Sequence, residues 1–235
     1  MKFENDLAIF KVQLKIAFKD KFYFVYTLIV PIFMIFINKT QDFQDNESLY
    51  IYWSYIVVTT VFNGFLLNII RLRESGFFKT LTYLMGSKYS IVLSNLFVQV
   101  VIIQLEILLF NLIVFLFIIK VSLMTFIYGF LATFLATFLV SAMLSGALLI
   151  RIRKSTFNLF CGIFFILGIA LLGSRPSGVI EYVQTVLNPF QLIYGLYIFP
   201  CSTVGFQILM MLCVCGYLLI GAMMFKNISI KQKLK

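Results

Sequence analysis

Residues 91–119 read IVLSNLFVQVVIIQLEILLFNLIVFLFII, an unbroken apolar run whose one charge is Glu106. A hydrocarbon core about 30 Å thick needs roughly 20 apolar residues of helix. This run is longer than that, so it predicts a transmembrane helix that tilts or projects beyond the hydrocarbon. Runs of the same kind occur at about 22–38, 50–70, 121–150, 156–173 and 203–225. Lys120 with Ser122 marks the turn between the two longest. Across the chain 62% of residues are hydrophobic and 12% charged, whereas soluble domains carry roughly a quarter of their residues as charges. The expectation is an all-α membrane protein, a single transmembrane domain over 1–235 with six spans.

The formal net charge of +10 raises nucleic acid as a partner, but the positions of the charges remove it. Sixteen of the nineteen basic residues fall in alternate segments: the first 21 residues, 71–88, 151–154 and the tail from Lys226. Only Lys39, Lys120 and Arg175 lie in the others, and Asp42, Asp45 and Glu47 share one of these. Cytoplasmic loops collect Lys and Arg, so both termini are expected in the cytoplasm. The first 20 residues carry Glu4, Asp6 and Asp20 and lack a short apolar core with a cleavage site, so they do not read as a signal peptide.

Within 1–20, Phe3, Leu7, Phe10, Leu14, Ala17 and Phe18 gather on one arc and Glu4, Lys11, Lys15 and Lys19 on another. That pattern predicts an amphipathic helix in the inner interface. A second amphipathic helix is expected at about 74–86, where Phe77, Phe78, Leu81, Leu84 and Met85 recur at helical spacing behind Arg73 and Glu74. Its aromatic face needs either lipid headgroups or a partner protein to cover it. On the opposite side, about 176–199 is too apolar for an exposed loop yet is interrupted by Pro176, Pro189 and Pro200. Ile180, Val183, Val186 with Leu187, and Phe190 suggest short re-entrant helices buried against other protein.

Candidate chemistry is sparse. There is no histidine, which excludes HExxH zinc helices and any Ser-His or Cys-His pair. Cys161, Cys201, Cys213 and Cys215 lie in or beside apolar runs without CxxC spacing and read as packing residues. Glu106, with Gln99, Gln104 and Asn111 nearby, reads either as a hydrogen-bonded interhelical contact or as polar lining of a translocation path. A buried carboxylate costs at least about 2.5 kcal/mol in lipid, so it must face protein or water. In the fourth span Gly129, Ala132, Ala136, Ser141, Ala142, Ser145 and Gly146 read as close helix packing within one bundle.

The Arg-Glu-x-Gly start at Arg73 to Gly76, the Lys-x-Leu at Lys79 to Leu81, the basic loop at Arg151 to Ser155 and Asn188-Pro189-Phe190 occur in a fixed order among the spans. In that order the chain resembles type-2 ABC exporter permeases of the short six-helix kind, and is similar to those of staphylococcal peptide-toxin exporters. The resemblance implies a non-catalytic permease half, paired with a second half in a homo- or heterodimer and driven by two copies of a separate ABC ATPase. Residues 74–86 would be the coupling helix, with Arg73, Glu74, Phe77, Phe78, Leu81, Leu84 and Met85 meeting the ATPase together with Arg151, Arg153 and Lys154. ATP and Mg would belong to the partner, since no G-x-x-x-x-G-K-[ST] loop occurs here. Small amphipathic peptides, such as bacteriocins or phenol-soluble modulin toxins, and hydrophobic drugs are the expected cargo. A membrane-embedded immunity or peptide-sequestering protein with no ATPase is the alternative.

Overall fold

The computed structural model describes residues 2–19, 21–37, 48–85, 87–118, 121–149 and 179–227, together with isolated positions between 159 and 170. Among the described residues the chain is almost entirely helical and contains no strand. Helices α1 (Lys2–Lys19) and α2 (Lys21–Ile37) precede a continuous helical rod. That rod consists of α3 (Ser48–Thr60), a π-helical segment (Val61–Leu67) and α4 (Asn68–Glu74). Then come α5 (Phe77–Met85), α6 (Lys88–Phe117), α7 (Leu123–Ser145), α8 (Val179–Leu187), α9 (Pro189–Ile198) and α10 (Val204–Asn227).

Four of these are long and apolar enough to cross a membrane: Ser48–Glu74, Lys88–Phe117, Leu123–Leu148 and Val204–Phe225. They correspond to the second, third, fourth and sixth apolar runs. The first run lies on α2, whose apolar part, Val25–Ile37, is shorter. The fifth run, 156–173, and the basic loop Arg151, Arg153 and Lys154 lie outside the described residues.

Local chemistry sets the helix limits. Gly76, at φ +72°, supplies the left-handed residue that ends α4, and the Ser75 and Gly76 amides return to the Arg71 and Arg73 carbonyls. The chain reverses there within two residues and α5 starts at Phe77. Ser122 caps α7 by accepting from the Thr125 amide at 3.1 Å. Asn188 caps α9 by accepting from the Phe190 amide, with Pro189 at the first helical position, where its missing N–H costs nothing.

The rod α3–α4 is the most deeply enclosed element, packed by α2, α6, α7 and α9. Trp53 is fully buried, and a Cβ on Gly129 of α7 would stand 2.9 Å from its indole. Tyr50, Trp53, Tyr128 and Tyr197 stack around one another at the α3 start, tying α9 to α3 and α7. α10 lies along α7, where a Cβ on Gly221 would come within 2.6 Å of the Ala142 Cβ. The small residues of the fourth span therefore contact α3 and α10 of the same chain.

Arg73 fixes the other end. It is buried, and its guanidinium donates to the Leu148 carbonyl. The ends of α4 and of the Leu123–Leu148 helix thus lie together. α1 packs along α6 at this same end, where the Gln13 amide donates to the Ile91 carbonyl.

The segment expected to be outer and re-entrant, 176–199, departs in part from its sequence reading. α9 is buried through Phe190, Leu192, Ile193 and Tyr197, but α8 turns Ile180, Val183 and Leu187 outward. Its inward side is Thr185, and the Tyr217 hydroxyl of α10 donates to the Val186 carbonyl at 2.6 Å. Apolar periodicity marks the face that meets apolar surroundings, and where those surroundings are lipid the face points away from the protein. The Tyr182 ring lies on Phe206, near the start of α10, whereas Val186 meets α10 eleven residues farther along.

Replacing Gly221 with Val should force α10 off α7 and lower stability by about 1–3 kcal/mol. Gly205→Val, where a Cβ meets open space, should leave stability unchanged. Unfolding of the two variants in the same detergent micelle checks the difference.

Candidate functional site: a polar seam and the helices at its charged end

The α6 face that meets the α3–α4 rod carries Asn95, Gln99, Glu106 and Asn111, all buried. Near the start of α3, Trp53 Nε1 donates to Asn111 Oδ1 at 2.8 Å. At the end of α3, Thr60 Oγ1 donates to Glu106 Oε2 at 2.7 Å, and Thr27 of α2 donates to Glu106 Oε1. Glu106 thus joins three helices, has no exposed surface, and has a hydroxyl on each carboxylate oxygen. Hydrogen bonds from such donors offset much of what an apolar setting charges a carboxylate.

One turn further on, the rod is π-helical. Gly64 leaves room for the Gln99 carboxamide, since a Cβ there would lie 2.0 Å from Gln99 Oε1. That oxygen is buried and has no hydrogen-bond partner. Within this segment Phe65 O, which also accepts from the Asn68 backbone amide, accepts from Asn95 Nδ2 at 3.4 Å, and Asn68 Nδ2 reaches Asn95 Oδ1 at the same distance.

Three of the four residues predicted for a translocation path therefore meet along one seam. Gln104 does not: it turns to α7, donating to the Phe130 carbonyl and to Thr133 Oγ1. It borders a shallow hollow of about 260 Å³ between α6 and α7, which Asn111 also lines. Gln99, Glu106 and Asn111 are each at most 2% exposed, so in this conformation they hold helices together and do not line an open passage. Asn95, Thr27, Thr60 and Gly64 complete the seam and were missed. Asn95, one helical turn before Gln99 on the same face, was the available signal.

At the charged end, the described residues predicted to meet an ATPase divide mainly between the bundle and a groove, and a third set that was not predicted faces outward. Arg73 and Phe78 are buried and hold α4 and α5 onto the bundle, which corrects their assignment to an exposed surface. Phe77, Leu81 and Leu84 line a groove against α1. Lys79, Thr80 and Tyr83 point away from both, with Tyr83 78% exposed and the Lys79 ammonium 5.6 Å from its ring. Glu74 is exposed at the turn, and the side chain of Met85 lies outside the described set.

No family model, curated protein or solved structure matches this chain significantly. Among the described residues no cluster of His, Cys, Asp or Glu could hold a metal ion.

Gly64→Ala should displace the Gln99 carboxamide from the rod and destabilise the seam by about 1–3 kcal/mol. Adding Gln99→Ala should recover most of the loss, a coupling that a double-mutant cycle on detergent-solubilised protein would read.

Proposed function

We propose that this chain is the permease subunit of an ATP-driven exporter, with six spans and both termini in the cytoplasm. The observation that carries the reading is α5. It is a short helix hung by a two-residue turn between two membrane-length helices, anchored through Phe78 and Arg73, with Lys79, Thr80 and Tyr83 turned outward. Such a helix has no packing role on that outward side. It is suited to receive force from a separate motor and pass it to the rod that carries it.

Six crossings are supported by the charge pattern and by the two ends that the described helices reach: Leu148 lies at the Arg73 end and Tyr197 at the Tyr50 end. The path of α8 down α10, and the return of α9 to the aromatic cluster, support reading 179–198 as a pair of re-entrant helices.

Pairing with a second permease half has support in α2. Val25, Ile29, Phe33 and Ile37 repeat every fourth residue and are about half exposed. Because Glu106 ties this helix to the rod, movement of α5 would reach α2 through the α4–α3 rod and the carboxylate. Cargo of amphipathic or hydrophobic character fits walls this rich in Phe and Leu, and alternating access by the two halves would move it outward. ATP and Mg would be held by the partner ATPase.

Affinity-purified full-length protein should bring down an ATPase with a phosphate-binding loop. Tyr83→Asp with Lys79→Glu should abolish capture or ATPase stimulation while the permease itself still accumulates. Absence of any ATPase from the purified complex would favour the peptide-sequestering alternative. Glu106→Gln keeps an acceptor for one threonine and removes the carboxyl group. It should fold and slow ATP-driven export by an order of magnitude, on the roughly 1–2 kcal/mol that membrane hydrogen bonds contribute. Export from inverted vesicles measures it, and wild-type export by that variant would exclude Glu106 from the coupling route.

A further inference from the structure

Between α1 and α5, with α4 as its floor, runs an open groove of about 300 Å³. Its walls are apolar: Val12 and Ile16 from α1, Leu72 from α4, Leu81 and Leu84 from α5. Two polar side chains interrupt them, Asn68, whose amide reaches Asn95, and Gln13. Gln13 lines the groove and is 7% exposed; its amide nitrogen donates to the Ile91 carbonyl, but its Oε1 is buried with no partner. A carbonyl oxygen held that way lacks one hydrogen-bond donor, and the missing partner would restore what desolvation cost it.

The rim is strongly basic. Lys11 and Lys15 each stand one residue before a groove-lining position of α1, and both are exposed. Arg71, also exposed, stands one residue before Leu72. Of the charged residues in 8–16 and 68–84, Arg73 is buried against Leu148 and Lys79 faces away, which leaves Lys11, Lys15 and Arg71 beside the groove against Glu74. A ligand that matches all three features has an apolar chain, a negative charge beside it and a hydroxyl donor close to that charge.

We propose that this groove is a binding site for one anionic phospholipid with a hydroxyl-bearing headgroup, a phosphatidylglycerol. An acyl chain would lie along Val12, Leu72, Leu81 and Leu84. The phosphate would sit at the Lys11 and Lys15 rim, and a headgroup hydroxyl would donate to Gln13 Oε1 once the carboxamide, buried in this conformation, turns out to meet it. Anionic lipid is attracted to basic interfacial helices in general, but a surface field alone does not provide a buried acceptor. The site rests on the membrane reading of the chain and not on the exporter reading. It uses the inner side of α5, whereas an ATPase would use the outer.

The test is lipid retention by the full-length protein reconstituted in equimolar phosphatidylglycerol and phosphatidylcholine, then solubilised, washed and analysed by mass spectrometry. Wild type should keep about one phosphatidylglycerol per chain in preference to phosphatidylcholine. Lys15→Glu should weaken that preference by at least about fivefold, the equivalent of one interfacial lysine. Val12→Asp, at a half-exposed position that leaves the core untouched, should abolish retention. Gln13→Leu should retain phosphatidylglycerol no better than phosphatidylmethanol, which has the same charge but no hydroxyl.

Tyr83→Asp should keep the lipid even where it loses an ATPase, so the two readings fail separately. Equal retention of the two lipids by wild type, or phosphatidylglycerol retention unaffected by Val12→Asp, would overturn the site. Loss of ATPase capture in Val12→Asp, with no lipid retained by wild type, would assign the groove to the ATPase instead.

Discussion

A single carboxylate decides how the centre of this bundle is assembled. An isolated Glu in the hydrocarbon would cost at least about 2.5 kcal/mol, and its cheapest relief is hydrogen-bond donors from neighbouring helices. Glu106 receives one from Thr27 on α2 and one from Thr60 on α3, so it fixes the rotation of both helices about their axes relative to α6. Apolar packing cannot do this alone, because lipid competes with Leu on equal terms for every apolar face. Trp53 with Asn111, and Asn68 with Asn95, extend the same register toward the two ends.

The π-helical segment follows from where that register must change. Thr60 is the last residue before it, and Gly64 and Phe65 within it meet Gln99 and Asn95. A π turn widens the helix by one residue, so the rod's faces are offset above and below the segment. Glu106 is thereby met by α3 on one face while Asn95 and Gln99 are met by the following turns on another. The absence of a side chain at Gly64 permits the close approach. The segment lies between the Glu106 contact and α4, which carries α5, and so occupies the only covalent route between the two through the rod.

The membrane-length helices were legible in the sequence because length and apolarity are enough to define a span. The start of α7 was legible at Ser122, whose hydroxyl caps the helix. Gly76 was visible as a break, and α5 as a helix, but not which of its residues face in. Phe77 and Phe78 look equivalent in a string, yet one is half exposed and the other has no exposed surface. Arg73 illustrates the same limit: charge placed it on a surface, whereas the Leu148 carbonyl, free at a helix end, was an acceptor that only the fold could supply. Periodicity also misassigned α8, because in a membrane an apolar stripe marks lipid as readily as core.

The polar residues of α6 were recognised as belonging together, with one exception that explains the rest. Gln104 lies two positions from Glu106, about 200° around the helix at 3.6 residues per turn, so it cannot share its face. Asn95, Gln99 and Glu106 follow helical steps of four and seven and can. Asn111, five positions on, stands about 140° around from Glu106 but one heptad from Gln104, so it lies on Gln104's side and lines the same hollow, and the Trp53 indole reaches across to it. The seam closes the space between α6 and the rod, and the hollow between α6 and α7 remains open beside it.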